Sequence, residues 1–224
     1  MQYKNKFGTI QVMEEDLFKG KTLALSMSGG VDSTMLCYLL AKTSYEQNLE
    51  ITIQPYNGYD TWAPIDSAGV PNIIKFIRKK FPAVDIQWPL STVFITNGNH
   101  NPNDKNMYIR PLIEKLVAHN VVDLLMNGIS LGPPVEVQET FKDRDNKINV
   151  QRLPGYHLWN EVERAVDHLS PFKHVDKRFI VQCYKDFGIE KLLKRTNSCV
   201  APQGNCSKCW WCQERVWALA QTLK

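Results

Sequence analysis

Lys21-Thr22-Leu23-Ala24-Leu25-Ser26-Met27-Ser28-Gly29-Gly30-Val31-Asp32-Ser33-Thr34 decides the architecture. Residues 21–27 are short and mostly apolar, as a buried strand requires, and residues 34–41 have the little-polar pattern of a buried helix. Between them, two glycines permit a tight turn and let backbone N–H groups approach an anion closely. The helix start behind them adds unpaired N–H donors and partial positive charge. Ser28, Ser33 and Thr34 add hydroxyls. Asp32 repels phosphate unless a cation intervenes, so it is expected either to bind Mg²⁺ or to cap the helix.

The chain outward of this stretch alternates strands and helices. A second strand is expected over 50–56. An amphipathic helix follows over 70–80, apolar at 70, 73, 74 and 77, with Pro82 just past its end. A third strand is expected over 84–88, an Asn- and Gly-rich loop over 91–106, and a helix over 108–119. The fourth strand, 121–126, ends at Asn127-Gly128. Residues 130–156 are expected to form a long loop, a length often associated with function. A helix over 157–169, a fifth strand or its remnant at Pro171-Phe172, and helices over 176–187, 189–195 and 213–224 complete the pattern. Residues 1–20 are expected to form a hairpin or an arm.

This alternation predicts an α/β fold with a five-stranded parallel sheet flanked by helices, Rossmann-like. Such sheets bind ligands at the carboxyl ends of their strands, beside a topological switch point. The glycine loop and Asn127-Gly128 both fall at strand carboxyl ends, so both are expected to face one crevice.

Cys199, Cys206, Cys209 and Cys212 lie within 14 residues, in the pattern Cys-x₆-Cys-x₂-Cys-x₂-Cys. Four thiolates at this spacing suit a closed tetrahedral Zn²⁺ site with a structural role, and Pro202 and Gly204 suit the intervening turn. An iron–sulfur cluster also takes four cysteines. A redox pair would leave two unexplained. Cys37 and Cys183 sit in apolar helical patterns and are expected in the core. Trp210-Trp211 is expected to cover a small metal lobe rather than to stack on bases.

Hydrophobic residues make up 43% and charged residues 22%, which excludes a disordered chain. No stretch approaches the ~20 apolar residues of a membrane-spanning helix, and the start lacks the apolar core of a secretory signal. A cytoplasmic enzyme is the expectation, with no membrane partner. The net charge of +4 does not by itself argue for nucleic acid. Arg78-Lys79-Lys80 ends a helix, where the dipole favours cations. The five histidines (100, 119, 157, 168, 174) do not cluster with carboxylates at ligand spacing; His157 is the one to test. Asp143-Arg144-Asp145 suits a solvated loop better than a Mg²⁺ site.

Ser28-Gly29-Gly30-Val31-Asp32-Ser33 is neither a Walker A loop nor a dinucleotide fingerprint. It resembles the Ser-Gly-Gly-x-Asp-Ser pyrophosphate loop of the N-type ATP pyrophosphatases at all five fixed positions. The loop together with the cysteine tail and Arg215 resembles the 7-cyano-7-deazaguanine synthase family of the adenine nucleotide α-hydrolase-like superfamily. Pro171-Phe172-x₄-Lys177 is similar to that family's proline and lysine ahead of the penultimate helices.

The resemblance implies ATP bound by Met27, Ser28, Gly29, Gly30, Val31, Asp32, Ser33, Thr34, Asn127 and Gly128, with catalytic roles for Asp32, Ser33 and Lys177. It implies Mg²⁺ beside ATP, and Zn²⁺ on the four cysteines. Its reaction adenylates the carboxylate 7-carboxy-7-deazaguanine and converts it with ammonia to the nitrile, in a chain whose α/β domain would be 1–196 and whose zinc segment would be 197–224. A homodimer is compatible with it. The chain departs from the family at Tyr56-Asn57-Gly58-Tyr59-Asp60 and across 130–156, at Gly132-Pro133-Pro134-Val135-Glu136 and Arg152-Leu153-Pro154-Gly155. Two other readings stay open: an ATP pyrophosphatase that modifies a tRNA base or activates another carboxylate, and a nucleotide-binding module without chemistry.

Overall fold

The structure is a computed structural model that describes residues 1–60, 68–94, 112–113, 115–116, 118–141, 168–199 and 206–222. Along the chain, a hairpin of β1 (Gln2–Asn5) and β2 (Gly8–Gln11) precedes α1 (Glu15–Phe18) and β3 (Thr22–Ser26). Then come α2 (Val31–Gln47), β4 (Thr52–Asp60), α3 (Val70–Lys80), β5 (Asp85–Ile86), β6 (Leu90–Phe94) and β7 (Leu124–Met126). The chain continues through α4 (Val135–Gln138), β8 (His168–Leu169), α5 (Lys177–Asp186), α6 (Glu190–Leu193) and α7 (Trp210–Thr222).

Leu23, Ala24 and Leu25 of β3 are wholly buried, as a parallel strand covered on both faces must be. β3 pairs in parallel with β4 on one side and β7 on the other, and β8 extends the sheet beyond β7. β5 and β6 pair in parallel with successive stretches of the far edge of β4. The sheet is therefore five positions wide, in the order β5-β4-β3-β7-β8, with β6 continuing the β5 position. The expected parallel α/β fold is present. From β3 the chain moves out to β4 and later returns to β7 on the opposite side, so the switch point lies between β3 and β7.

Four boundaries differ from expectation. β6 occupies residues expected to be loop; Leu90-Ser91-Thr92-Val93-Phe94 has strand chemistry, and its partner, β4, runs on to Asp60 instead of ending near Tyr56. The fifth strand is His168–Leu169, not Pro171-Phe172, and it displaces the end of the helix expected over 157–169. β7 begins at Leu124 rather than Val121. α7 begins at Trp210, so Cys212 lies in its first turn. Between 108 and 119, residues 112, 113, 115, 116 and 118 are helical. The expectations for 95–106, for 142–156 and 157–167, and for Pro202 and Gly204 lie outside the described residues, and with them Asp143-Arg144-Asp145, Arg152-Leu153-Pro154-Gly155, His100 and His157.

The core is built on α2. Its residues Met35 to Ala41 are all at most 2% exposed, with the sheet and α5 packing around them. α3 buries Val70, Ile73, Ile74 and Ile77 and carries Arg78, Lys79 and Lys80 in its last turn. α5 is capped by Asp176, whose carboxylate accepts from the Arg178 N–H at 2.9 Å. The hairpin is fastened to α5: the Asn5 side-chain amide donates to the Phe179 carbonyl at 3.0 Å. Cys37 and Cys183 are buried, and burial pushes both thiols up to about 12, so they serve as core residues. Among the described residues no helix is long and apolar enough to cross a membrane.

Leu39 is wholly enclosed between these layers. Leu39→Ala is expected to cost about 2–5 kcal/mol by leaving a cavity there. Urea unfolding measures it; a loss below about 1 kcal/mol overturns the assignment of α2 as the central packing element.

Candidate functional site

β3 ends at Ser26, and the chain turns through Ser28 and Gly29 into α2. Gly29 sits at φ +79°, a conformation that favours glycine. Gly30 is the helix N-cap, and no side chain caps α2. Its opening N–H groups thus lack the side-chain acceptor that would compete with an anion. The Ser28 and Ser33 hydroxyls lie 3.2 Å apart across the turn, and the Gly30 N–H donates to Ser28 Oγ at 3.3 Å. Met27, Val31 and Thr34 are buried; the Thr34 hydroxyl has no hydrogen-bond partner. Met27 N–H donates to the Tyr56 carbonyl, and the Val31 carbonyl accepts from Tyr184 at 2.8 Å. Burial, then the nearby Asp32 charge, holds the Tyr184 hydroxyl well above its ordinary pKa, so it stays a donor.

The carboxyl end of β7 meets this loop. A Cβ on Gly128 would lie 2.8 Å from Asp32 C and Ser33 N, so only glycine lets the two segments approach this closely. Asn127 accepts from Ile129 N–H at 2.9 Å and from the Ser170 hydroxyl at 3.0 Å, joining the ends of β7 and β8. The glycine loop and Asn127-Gly128 therefore share one crevice at the switch point.

Lys177, the first residue of α5, reaches the same place. Its ammonium lies 2.9 Å from Asp32 Oδ2 and 2.7 Å from Glu214 Oε2. Lys177 is 3% exposed and Glu214 wholly buried. The second Asp32 oxygen, Oδ1, is buried without a hydrogen-bond partner. Asp32 is thus an ion-pair partner and not the helix cap.

The cysteine segment is tied to the loop from the other side. Asn197 N–H donates to the Gly29 carbonyl at 2.9 Å, and its side-chain oxygen accepts from Cys199 N–H at 3.2 Å. The sulfurs of Cys199, Cys206, Cys209 and Cys212 all lie within 4.8 Å of one another, a set suited to one metal ion. Burial pushes the Cys206 thiol up. Backbone N–H groups of Lys208 and Cys209, with the Cys199 and Cys209 sulfurs, outweigh that and bring it down to about 6. Burial, then the Cys209 sulfur, pushes Cys212 up instead. Arg215 donates to the Thr196 and Leu193 carbonyls at 2.8 and 3.0 Å, anchoring the segment to the end of α6. Trp210 is buried edge-on against Phe141, with ring centres 5.8 Å apart, in the expected packing role.

Sequence reasoning met Asn197 and Glu214 only as part of the cysteine tail and gave them no role, and it missed Ser170. Glu214 had a visible signal: it shares a buried helical row with Trp210, Ala218 and Thr222, where a carboxylate needs a partner. The bonds of Asn197 to Gly29 and of Ser170 to Asn127 join partners remote in sequence and had none. His119 and His174 are exposed and away from the crevice's described contacts. A groove of about 520 Å³ lies along α3, lined by Asn72, Lys75, Phe76, Lys79, Lys80 and Arg195; it does not contain the loop.

The sequence matches no protein-family profile and no curated protein. Solved structures do match. U34-tRNA thiolase NcsA from Methanococcus maripaludis, solved with its [4Fe-4S] cluster, superposes with a TM-score of 0.51 at 14% identity, over 92% of this chain and 67% of that one. A universal stress protein in complex with cAMP matches at a TM-score of 0.31 and 14% identity, over 67% of this chain and 95% of that one, too low to carry an argument. The chain thus shares the parallel α/β fold of that thiolase, and its C-terminal cysteine cluster could hold a metal ion. The resemblance to 7-cyano-7-deazaguanine synthase rests on motifs alone.

Gly128→Ala drives a methyl group into the backbone of Asp32 and Ser33. A loss of about 1–3 kcal/mol in urea unfolding is expected, with faster amide exchange concentrated in the first turn of α2. Unchanged exchange there overturns the close approach.

Proposed function

We propose that the protein is an ATP pyrophosphatase that adenylates an acceptor and releases pyrophosphate. One observation supports this above the others: the uncapped start of α2, Gly128 and the Lys177 ammonium converge on Ser28–Ser33 at the switch point. An acceptor oxygen attacks the α-phosphorus, the bond from that phosphorus to the α–β bridging oxygen breaks, and pyrophosphate leaves. The N–H groups and hydroxyls of the loop hold the leaving oxygens. Lys177 offsets their charge, and Asp32, whose Oδ1 has no hydrogen-bond partner, would hold the Mg²⁺ that accompanies them. The protein's part is positioning and charge neutralisation.

The acceptor we favour is a small-molecule carboxylate, 7-carboxy-7-deazaguanine, on the strength of the loop, Lys177 and the cysteine tail together. Ammonia displaces AMP from the acyl-adenylate to give an amide; a second ATP adenylates the amide oxygen with release of pyrophosphate, and loss of AMP and protons leaves the nitrile. A tRNA base is the second reading. Two observations favour it: the fold likeness to a tRNA thiolase, and the basic groove along α3. Arg195 of that groove is two residues from Asn197, which touches the loop. Binding through that groove weakens steeply with salt.

The four cysteines hold Zn²⁺ in this reading. A tetrahedral site with ~2.3 Å bonds places its sulfurs about 3.8 Å apart. The sulfurs here, mutually within 4.8 Å, suit that spacing, and a cubane cluster spreads its four cysteines more widely. When bound, the ion supplies a structural cross-link between Cys199 and α7.

Purified protein is expected to be colourless with close to one zinc per chain, and metal removal is expected to lower its Tm. A brown protein with iron and sulfide overturns the zinc assignment. With Mg·ATP and ammonia, pyrophosphate release is expected with 7-carboxy-7-deazaguanine; other carboxylates and tRNA are assayed in parallel. Asp32→Ala with Ser33→Ala is expected to reduce it by about 100-fold or more. Activity with tRNA alone transfers the assignment to the second reading. Release of phosphate instead of pyrophosphate overturns both.

A further inference from the structure

One buried charge is not used by that chemistry. Glu214 stands two residues beyond the metal ligand candidate Cys212, on the inner face of α7, wholly shielded from water. Burying a carboxylate is costly unless it is paired and hydrogen-bonded. Its Oε2 lies 2.7 Å from Lys177 Nζ, whose other carboxylate partner is Asp32 Oδ2 at 2.9 Å. Asp32 alone is enough to pair the ammonium, so two carboxylates share one cation. The two differ in setting. The Asp32 side chain is 18% exposed at the crevice and has an unpartnered buried oxygen; Glu214 lies behind, on a helix fixed to α6 by Arg215.

We propose that Glu214 is a positioning residue that keeps the Lys177 ammonium at the loop when Asp32 lets it go to take the nucleotide's Mg²⁺. The inference rests on the nucleotide reading above. With one carboxylate, the ammonium and the Mg²⁺ compete for Asp32, and binding one removes the other. A second, deeper carboxylate resolves the competition. Lys177 stays held and aimed at the phosphates, and Asp32 exchanges one cation for another without leaving a buried charge unpaired. The segment that carries the cysteine cluster thereby sets the position of a phosphate-binding group.

The test is a Mg²⁺ titration of nucleotide binding, using an ATP analogue with a methylene in place of the α–β bridging oxygen, so that no turnover intervenes. In Glu214→Gln, Lys177 keeps Asp32 as its remaining charged partner of the pair. The Mg²⁺ midpoint is then expected to rise about tenfold or more, below the full penalty for unpairing a buried charge because Lys177 retains part of its pairing. Metal content on the cysteines and Tm in the absence of nucleotide are measured alongside. In Lys177→Met with Glu214→Leu, the buried pair is replaced by apolar groups, a change that folds are known to accept. Asp32 is then free, so the analogue binds more weakly at saturating Mg²⁺ while the Mg²⁺ midpoint stays at or below that of the wild type. Glu214→Asp, which keeps the charge, is expected to lie between wild type and Glu214→Gln. A wild-type Mg²⁺ midpoint in folded Glu214→Gln, or a raised midpoint in the double variant, overturns this inference alone. No binding of the analogue by the wild-type protein overturns the nucleotide reading and this inference with it.

Discussion

Beneath the glycine loop, the ammonium of Lys177 lies between Asp32 and Glu214, and three helices are joined there. α2 contributes Asp32 from its first turn, α5 contributes Lys177 as its first residue, and α7 contributes Glu214. None of these charges tolerates burial alone. Their positions are therefore interdependent, and the start of α2 is held from each side that matters to the crevice. Tyr184 bonds the Val31 carbonyl, Gly128 abuts the backbone of Asp32 and Ser33, and Asn197 bonds Gly29.

The sheet supplies the setting for this arrangement. Opposite crossovers from β3 leave a gap between the carboxyl ends of β3 and β7, and the loop occupies it. Asn197, at the head of the cysteine segment, bonds the loop at Gly29. A metal ion on the cysteines would draw Cys199 and the first turn of α7 together, fixing Asn197 and Glu214 at once. A metal held there would thus bear on the crevice without touching a ligand in it.

Much of this was legible in sequence because it depends on local rules. Two glycines between an apolar strand and an apolar helix, and four cysteines in close spacing, declare themselves without a partner. Lys177 was reached through resemblance, and its ion-pair partner Glu214 through the structure alone. The misplaced elements share a physical cause. β8 is two residues long, so no period of two can develop; the ladder from β7 defines it. β6 forms because β4 continues past Tyr56 and offers an edge, a fact that Leu90–Phe94 does not contain. Side chains such as Asn197 and Ser170 gain their roles from backbone groups far away along the chain.

The hydrogen bond from Asn197 to Gly29 has a consequence for how the molecule comes into being. It spans most of the chain, as does the pairing of Lys177 with Asp32. Contacts of such long sequence separation form late and slow the search for the native state. During synthesis the loop leaves the ribosome well before the groups that enclose it. A nascent chain thus displays a glycine turn with neither its cation nor its closing strand end. The crevice takes shape only once Lys177 and Asn197 have been made, and a fragment that stops short of them lacks it by topology.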